Sequence, residues 1–384
     1  MLTTTEQIAP TLAAAGGMRV AGWGTAVPRR RVTNHDLARY LDTSDEWIVE
    51  RSGIRERRWA GPGESTGPLS LAAARQALAQ AGIEPSDLDA VVVATTTPET
   101  PMPATAAQVA AALGTTAGAF DINAACAGFV YGLVTAAGLT AAGVSRTTLV
   151  VGADTMSSIV DADDRSTAVL FGDGAGAVVL AGGPVEPVGG GPTGVGSPIV
   201  AGPAGPTGRG LQGGGPAGAA APGLVACDLV GDPAGVDLLV VPAGGSGRPA
   251  SAETVAAGDH HLRMDGREVF RRAVRGVEAS IGRTLARAGC TADDVALFVP
   301  HQANTRIVDA VLARTGLAPE RTWSNIDRFG NTSAASIPIA LAEAVDAGTV
   351  ADGDLVLMSG FGAGITVGTV LWRWCASAPF AKDQ

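Results

Sequence analysis

Two pairs of apolar segments are separated by the same distance in the two halves of this chain. The segment around Val91 is followed 58 residues later by the segment around Leu149, and the segment around Leu297 is followed 58 residues later by that around Leu355. All four are short apolar runs, which is typical of buried strands. The repeated spacing predicts a duplicated α/β unit.

A cysteine and an asparagine hold matching places in this repeat. Cys126 lies 35 residues after Val91, and Asn331 lies 34 residues after Leu297. Cys126 follows the extended segment 118–123 and precedes the apolar run 127–142, so a strand leads into a buried helix there. The duplication predicts that both residues lie at equivalent helix starts and face one central site.

The position of Cys126 predicts a nucleophile. A thiol in the first turn of a helix meets unpaired N–H groups and the positive end of the dipole, which favour the thiolate. The small residues on either side leave room for a substrate to approach the sulfur. The alternative is that Cys126 is simply a small core residue.

Composition limits the remaining possibilities. The chain has 384 residues and four cysteines, with no C-x-x-C pair and no spacing that suits zinc, so we expect free thiols and no metal. The first 17 residues contain no Lys or Arg and match no targeting signal, which favours a cytoplasmic protein. A net charge of −10, 4% aromatic residues and no apolar run of ~18 residues argue against nucleic-acid or membrane partners.

One segment interrupts the pattern. In residues 183–222, 22 of 40 positions are Gly or Pro, and only Glu186 and Arg209 are charged. Such a composition cannot bury enough apolar surface to offset its ordering entropy, so we expect a disordered surface insertion. The predicted organisation is therefore a flexible tail 1–17, a half 18–182, the insertion 183–222, a half 223–375 and a tail 376–384.

Two further patterns have competing interpretations. The segment F-G-D-G-A-G-A (171–177) superficially matches a dinucleotide fingerprint, but it precedes a strand rather than opening a helix after one, which argues against nucleotide binding. In a predicted helix after Asp265, Arg267, Arg271 and Arg275 form one stripe with Arg272 beside it. The stripe is either a dock for an acidic partner or a solvated helix face.

His301 completes a candidate site, because it alone of the four histidines ends a buried strand, 295–299. Cys, His and Asn also occur together in papain-like proteases, where Asn orients His, so hydrolysis is one alternative. Here Asn331 lies in a helix start like that of Cys126, which suggests that His301 and Asn331 both face the substrate. Two neutral donors on one carbonyl oxygen would stabilise the enolate that forms when a malonyl thioester decarboxylates.

Six segments together resemble β-ketoacyl-acyl carrier protein synthase III, a family of the thiolase superfamily. They are D-T-S-D-E-W-I-V-E-R-S-G-I-R-E-R (42–57), A-A-C-A-G-F (124–129), F-G-D-G-A-G-A (171–177), V-P-H-Q-A-N (299–304), G-N-T-S-A-A-S-I-P (330–338) and G-F-G-A-G (360–364). The resemblance implies a five-layered αβαβα fold, a homodimer and no permanently bound cofactor. It also implies a ping-pong Claisen condensation of an acyl-coenzyme A with malonyl-acyl carrier protein.

The resemblance assigns roles to individual residues. It implies that Cys126 is the nucleophile, that His301 and Asn331 bind the malonyl thioester carbonyl, and that backbone N–H groups form an oxyanion hole. The remaining assignments are, for the oxyanion turn and substrate pocket, Phe361, Gly362, Ala363, Gly364 and Met102; for coenzyme A, Trp47, Arg51, Arg165 and Asn304; and for the carrier protein, Arg271, Arg272 and Arg306. Met102 would line the primer pocket of the opposite subunit.

Other functions stay open at this point. A relative could prime a polyketide pathway with a specialised primer, or transfer an acyl group without decarboxylation. A non-catalytic partner subunit would need no nucleophile, so the intact cysteine motif argues against it. The insertion, and Ala363 in place of a glycine common in the turn, depart from the simplest family pattern.

Overall fold

The computed structural model describes residues 17–182 and 221–376. Of the two predicted tails, only Gly17 and Ala376 fall within these ranges. Of the predicted insertion, only Ala221 and Pro222 do. Gly17 donates its backbone N–H to the carbonyl of Pro222 at 2.9 Å, so the two described ranges begin side by side.

The first range contains seven strands and six helices. The strands are β1 Met18–Ala26, β2 Arg30–Thr33, β3 Glu56–Trp59, β4 Ala90–Ala94, β5 Gly118–Ile122, β6 Thr147–Thr155 and β7 Asp173–Gly182. The helices are α1 Asn34–Leu37, α2 Asp45–Ser52, α3 Thr66–Ala81, α4 Thr105–Leu113, α5 Gly128–Ala141 and α6 Arg165–Ala168. A 3₁₀ turn, Ala125–Ala127, precedes α5.

The second range contains six strands and five helices. The strands are β8 Gly223–Gly231, β9 Leu239–Val240, β10 Arg263–Met264, β11 Leu297–Pro300, β12 Leu355–Gly362 and β13 Thr366–Arg373. The helices are α7 Ala252–Ala256, α8 Gly266–Ala288, α9 Thr305–Thr315, α10 Ile326–Phe329 and α11 Ser336–Asp346. A 3₁₀ turn, Ser333–Ala335, precedes α11.

The two main sheets have the same strand order. The first runs β1-β7-β6-β4-β5 and the second runs β8-β13-β12-β11, with β4 parallel to β6 and β11 parallel to β12. Where the first sheet has β5, the second has only an isolated parallel bridge between Phe298 and Thr322. The prediction of a duplicated α/β unit is therefore confirmed.

The layers also match the predicted αβαβα order. Helices α3 and α4 cover the outer face of the first sheet, and α5 and α11 pack between the two sheets. Helix α8 covers the outer face of the second sheet, with α9 packed beside it. Because α5 is covered on both sides, its sequence is apolar around most of its circumference.

Local signals in the sequence explain where most helices begin and end. The side chain of Ser44 accepts the N–H of Trp47 at the start of α2, and that of Asp265 accepts the N–H of Glu268 at the start of α8. Helix α3 ends at Gly82, which adopts the left-handed conformation (φ 63°) that glycine tolerates best.

Two strands of the first sheet are bounded by contacts outside the sheet. Strand β4 ends at Ala94, after which Thr95 and Thr97 turn to hydrogen-bond Asp154. Strand β7 begins at Asp173, because Phe171 pairs with Asn331 instead. Helix α1 is a single turn.

Candidate active site

Cys126 lies in the 3₁₀ turn before α5, buried to 5% exposure. The preceding residue, Ala125, has φ 45°, a conformation that residues other than glycine seldom adopt. The end of β12 closes over this turn, since a Cβ added to Gly362 would lie 2.6 Å from the backbone nitrogen of Cys126. Glycine at 362 is therefore required for the close approach of the two backbones.

Asn331 lies beside this turn and is also buried, at 6% exposure. Its side-chain oxygen accepts the N–H of Ser333 at 2.9 Å, so its amide NH₂ group is left as the donor. The hydroxyl of Ser333 lies 3.2 Å from the sulfur of Cys126. Ser333 thus joins the predicted nucleophile to the predicted enolate donor.

The backbone of Asn331 is fixed by the F-G-D-G segment. The N–H of Asn331 donates to the carbonyl of Leu170 at 2.8 Å, and the N–H of Gly172 donates to the carbonyl of Asn331 at 2.9 Å. A Cβ at Gly172 would lie 2.2 Å from the carbonyl oxygen of Phe329, so only glycine permits this contact. The segment that superficially matched a dinucleotide fingerprint therefore positions a predicted site residue, Asn331.

His301 follows β11 and is 3% exposed. Its Nδ1 lies 2.6 Å from the hydroxyl of Ser336, and its ring packs edge-on against Phe361 with 5.4 Å between ring centroids. Burial lowers the pKa of His301 from 6.5 to about 3, so the imidazole is neutral near pH 7. With Nδ1 engaged by Ser336, Nε2 is the ring nitrogen available to a substrate.

The state of the thiol differs from the sequence-based expectation. Burial raises the pKa of Cys126 to about 12, although a hydrogen bond from Ser333 opposes the change. The helix start therefore does not produce a standing thiolate, because desolvation of the charged form outweighs it. The proton of Cys126 must leave when the sulfur attacks.

A second cluster lies on the surface around Trp47, at the start of α2. The guanidinium carbons of Arg51 and Arg165 lie 4.4 and 4.8 Å from the centre of its ring system. Asn304 donates its side-chain NH₂ to the carbonyl of Arg51 at 2.9 Å, which ties the start of α9 to the end of α2. The four residues predicted for coenzyme A are thus brought together.

Comparisons with known proteins identify the family. A family model described as 3-oxoacyl-[acyl-carrier-protein (ACP)] synthase III matches residues 120–190, and the model of its C-terminal part matches residues 285–374. The β-ketoacyl-[acyl-carrier-protein] synthase III of Symbiobacterium thermophilum is 47% identical over 92% of this chain and 97% of its own length. That of Roseiflexus castenholzii is 46% identical over 93% and 98%. The chain belongs to the β-ketoacyl-acyl carrier protein synthase III family.

Solved structures agree with this family assignment. The 3-oxoacyl-(acyl carrier protein) synthase III of Pseudomonas aeruginosa superimposes with a TM-score of 0.78 at 42% identity, covering 94% of this chain and 100% of that one. The priming β-ketosynthase of the R1128 polyketide pathway also has a TM-score of 0.78, at 35% identity, covering 93% and 96%. The chain is therefore a thiolase-fold condensing enzyme of the acyltransferase class, with the family's role in initiating fatty-acid synthesis.

For this synthase III chain, the predicted docking stripe is less basic than the sequence suggested. Arg271 pairs with Glu268, and Arg272 pairs with both Glu268 and Asp232. Asp232 lies 40 residues from Arg272 in sequence and meets the stripe only in the folded chain. Arg306 is exposed at the start of α9 and forms no ion pair with the described residues.

A cavity of about 440 Å³ lies between α8 and the β8–β13 edge of the second sheet. Arg271, Arg272 and Arg275 line it together with Asp232 and Ile365. Ile365 directly follows the predicted oxyanion residues Gly362, Ala363 and Gly364 in sequence, so one wall of this cavity adjoins that turn.

In residues 17–182 and 221–376, no helix has the length and apolar character that a bilayer span requires.

Several residues of this synthase III site had no role in the sequence-based prediction. Ser333 and Ser336 lie three residues apart, which places both hydroxyls at one helix start. Asp154 is a lone acid near the end of the apolar strand β6, and its carboxyl accepts the N–H of Ala334 at 3.0 Å. Arg57 is fully buried, and its guanidinium donates to Asn34 and to backbone carbonyls; burial lowers its pKa to about 10.

Proposed function

We propose that this chain condenses an acyl-coenzyme A primer with malonyl-acyl carrier protein, through an acyl-cysteine at Cys126, to give 3-oxoacyl-acyl carrier protein. One observation carries the proposal. Cys126, His301 and Asn331 come from distant parts of the chain, and contacts through Ser333, Ser336 and Phe361 bring them to one buried turn.

In the first half-reaction, the sulfur of Cys126 attacks the thioester carbonyl of the primer and coenzyme A leaves. The developing oxyanion needs fixed donors, and the backbone N–H of Cys126 and of the turn 362–364 are suited to supply them. The close packing of Gly362 against the Cys126 turn supports this assignment. Replacement of glycine by Ala363 retains the backbone donor.

In the second half-reaction, His301 and Asn331 hold the carbonyl oxygen of the malonyl thioester. Loss of CO₂ generates an enolate, whose charge the Nε2–H of His301 and the NH₂ group of Asn331 stabilise. The neutral state of His301 and the contact of its Nδ1 with Ser336 support the donor tautomer. The enolate carbon then attacks the carbonyl carbon of the acyl-cysteine, and the bond to the Cys126 sulfur breaks. The thiolate that leaves takes up a proton from water, which regenerates the Cys126 thiol.

Coenzyme A is a substrate in this scheme, and no permanently bound cofactor is required. The Trp47 ring offers a stacking surface for the adenine, with Arg51 and Arg165 available to its phosphates. Arg165 lies over Trp47 and donates to the carbonyl of Asp42 at 2.6 Å, so it would move aside when adenine stacks.

The acidic carrier protein would dock on Arg271, Arg272 and Arg306. Arg306 is the strongest candidate contact, because its charge is not offset by an ion pair within the described residues. Arg271 would have to exchange Glu268 for a carrier phosphate or carboxylate, which reduces its net contribution.

A homodimer is supported by the edge of the first sheet. Strand β5 is the last strand of that sheet, and Phe120 within it is 37% exposed. An exposed edge strand is a ready template for pairing with a second copy. Met102 is 86% exposed on the loop before α4, as expected for a side chain that lines the partner's primer pocket.

The test is to incubate the protein with a panel of acyl-coenzyme A esters and follow acylation of Cys126 by intact mass spectrometry. Malonyl-acyl carrier protein is then added, and release of CO₂ and 3-oxoacyl product is measured. Acylation by short primers followed by condensation supports the proposal. Preference for one specialised primer would favour a starter-unit role in another pathway. Hydrolysis of the acyl-enzyme without condensation would refute the proposed function.

A further inference from the structure

One hydroxyl group contacts the sulfur of the nucleophile, and the mechanism above gives it no part. The hydroxyl oxygen of Ser333 lies 3.2 Å from the sulfur of Cys126, and Ser333 is fully buried. Among the described residues, no other side chain forms a hydrogen bond with this sulfur. An O–H group therefore lies at the atom that forms and breaks the bond to the acyl chain.

The backbone holds Ser333 in place from both sides. The N–H of Ser333 donates to the side-chain oxygen of Asn331 at 2.9 Å, and the N–H of Ala334 donates to the carboxyl of Asp154 at 3.0 Å. Ser333 has φ 50°, a conformation that residues other than glycine seldom adopt. Because these contacts maintain that conformation, the hydroxyl is set against the sulfur before a substrate binds and need not reorganise during the reaction.

The buried sulfur needs a donor when it carries charge. Burial raises the pKa of Cys126 to about 12, and two donors oppose this change: the hydroxyl of Ser333 and the backbone N–H of Cys126 itself. That backbone N–H is also the donor proposed for the oxyanion of the tetrahedral intermediate. When the carbon–sulfur bond forms or breaks, the hydroxyl of Ser333 is therefore the donor left to the sulfur.

The carboxyl of Asp154 is the other group that could engage this hydroxyl. Burial raises the pKa of Asp154, and Ser333 is among the groups that oppose the change. The carboxyl already accepts five hydrogen bonds, four from residues 95–97 at 2.7–3.1 Å and one from Ala334 at 3.0 Å. Asp154 therefore does not depend on Ser333 for its donors, and the hydroxyl is available to the sulfur.

We propose that the hydroxyl of Ser333 donates a hydrogen bond to the sulfur of Cys126 whenever that sulfur carries negative charge, a role that rests on the proposed function. In acylation, the thiol gives its proton to water and the sulfur electron pair forms the bond to the thioester carbon. The coenzyme A sulfur then leaves with its bonding pair and takes up a proton. In condensation, the bond from the acyl carbon to Cys126 breaks, and Ser333 stabilises the thiolate until water protonates it.

Two substitutions remove the hydroxyl while keeping the N–H that holds Asn331. Alanine already adopts this conformation at Ala125, with φ 45°, and glycine adopts it readily, so Ser333→Ala and Ser333→Gly should both preserve the turn. Agreement between them separates loss of the hydroxyl from a change in the backbone. Ser336→Ala is the matched control, because it removes a hydroxyl that contacts His301 at the same helix start.

The first measurement needs no substrate. Alkylation of Cys126 by iodoacetamide at pH 8 is followed by peptide mass spectrometry, which distinguishes this thiol from the other three. Both Ser333 variants should react about three- to tenfold more slowly, because the thiolate fraction falls while a more basic sulfur is somewhat more nucleophilic. Ser336→Ala should react at the rate of the unmodified protein.

The second measurement follows the covalent steps in single turnovers. Acylation by an acyl-coenzyme A, and return of the acyl group to coenzyme A, should each slow by roughly 10- to 10²-fold in both Ser333 variants, the effect of one hydrogen bond to a charged group. Decarboxylation of malonyl thioester in a Cys126→Ala background should not change when Ser333→Ala is added, because no charge develops on residue 126. Adding Ser336→Ala to the same background should slow it.

Three results would overturn the assignment. If both Ser333 variants are alkylated and acylated at the original rates, the hydroxyl serves Asp154 and not the sulfur. If Ser336→Ala slows alkylation as much as the Ser333 variants do, or if Ser333→Ala also slows decarboxylation, the substitutions disturb the turn in general. If no primer acylates the unmodified protein, the proposed function fails, whereas the alkylation rates still decide whether Ser333 acts on the sulfur.

Discussion

Asn123 and Asn331 occupy equivalent places in the two halves, and each side-chain oxygen accepts the backbone N–H of the residue two positions later. The distances are 3.2 Å to the nitrogen of Ala125 and 2.9 Å to that of Ser333. In both halves, the residue that donates this N–H has a positive φ, and the turn leads into a buried helix. Three residues after this asparagine, the first half has Cys126 and the second half has Ala334.

This relationship predicts distinct effects at Asn331. Asn331→Ala should leave acyl-enzyme formation largely intact and slow condensation by about 10²–10³-fold, because one enolate donor is lost. Mass spectrometry of the acyl-enzyme and CO₂ release from labelled malonyl thioester distinguish the two steps.

Asn331→Asp is the matched control. It keeps an oxygen for the N–H of Ser333 but removes the donor, so condensation should be lost while the melting temperature is retained. If Asn331→Ala blocks acylation as completely as Cys126→Ala, then Asn331 activates the nucleophile and the assigned division of roles is wrong.

Reversing the charge at Arg306 should weaken carrier-protein binding. We expect Arg306→Glu to raise KM for malonyl-acyl carrier protein by roughly three- to tenfold and to flatten its salt dependence. Acylation by acyl-coenzyme A should be unchanged. Arg75→Glu, on the exposed face of α3, is the control. Equal effects on both half-reactions would show that Arg306 has a structural role.

Trp47→Ala should weaken primer binding specifically through the nucleotide. Loss of a stacking and cation–π surface is expected to raise KM for acyl-coenzyme A by about tenfold. The same primer on N-acetylcysteamine, which lacks the adenine, should react equally with both proteins. A similar loss with this truncated thioester would place Trp47 in the fold rather than in the binding site.

His301 should make the fold less stable in mild acid. The pKa of His301 is lowered in the folded state, so below about pH 6.5 the unfolded chain takes up a proton that the folded chain does not. The free energy of unfolding therefore decreases as the pH is lowered. Between pH 7 and 5.5 this contribution is about 1 kcal/mol. Urea unfolding of the unmodified protein and of His301→Gln at both pH values measures it. Identical pH dependence in the two proteins would contradict the assignment.

Replacing residues 183–220 by a short Gly-Ser linker should be tolerated. Gly182 pairs with Met18, and a Cβ on Gly223 would lie 2.7 Å from the carbonyl oxygen of Met18, so the two ends lie close together. Loop-closure entropy changes slowly with length, so the free energy of unfolding should shift by no more than about 1–2 kcal/mol. Loss of several kcal/mol or of most activity would contradict the prediction of a disordered insertion.

Much of the fold follows from local patterns. The repeat of buried strands predicted the duplication, and residues with strong capping preferences, such as Ser44 and Gly82, lie at helix ends in the structure. The repeat did not predict the residue-by-residue alignment, however. The turns align Asn331 with Asn123 and Ala334 with Cys126, because the second half has two more residues between its first strand and its turn.

Patterns in short segments of the sequence do not show the contacts that residues far apart in sequence make. The antiparallel pairing of β2 with β3 was not predicted, because α1 and α2 separate the two strands in sequence. The buried Arg57 on β3 also donates to the carbonyl of Val32 on β2. The arginine stripe was correctly placed on α8, but its neutralisation by Asp232 depends on a strand end 40 residues away.

The sequence by itself determined which residues are nucleophile and donor candidates, because Cys126, His301 and Asn331 each end a recognisable strand or begin a recognisable helix. Only the tertiary structure decided their chemical states. Burial keeps the thiol of Cys126 protonated and the imidazole of His301 neutral, and the contacts of Ser333 and Ser336 orient both groups. A pKa depends on the solvent and charges that the fold brings around a group, and these come from residues remote in sequence.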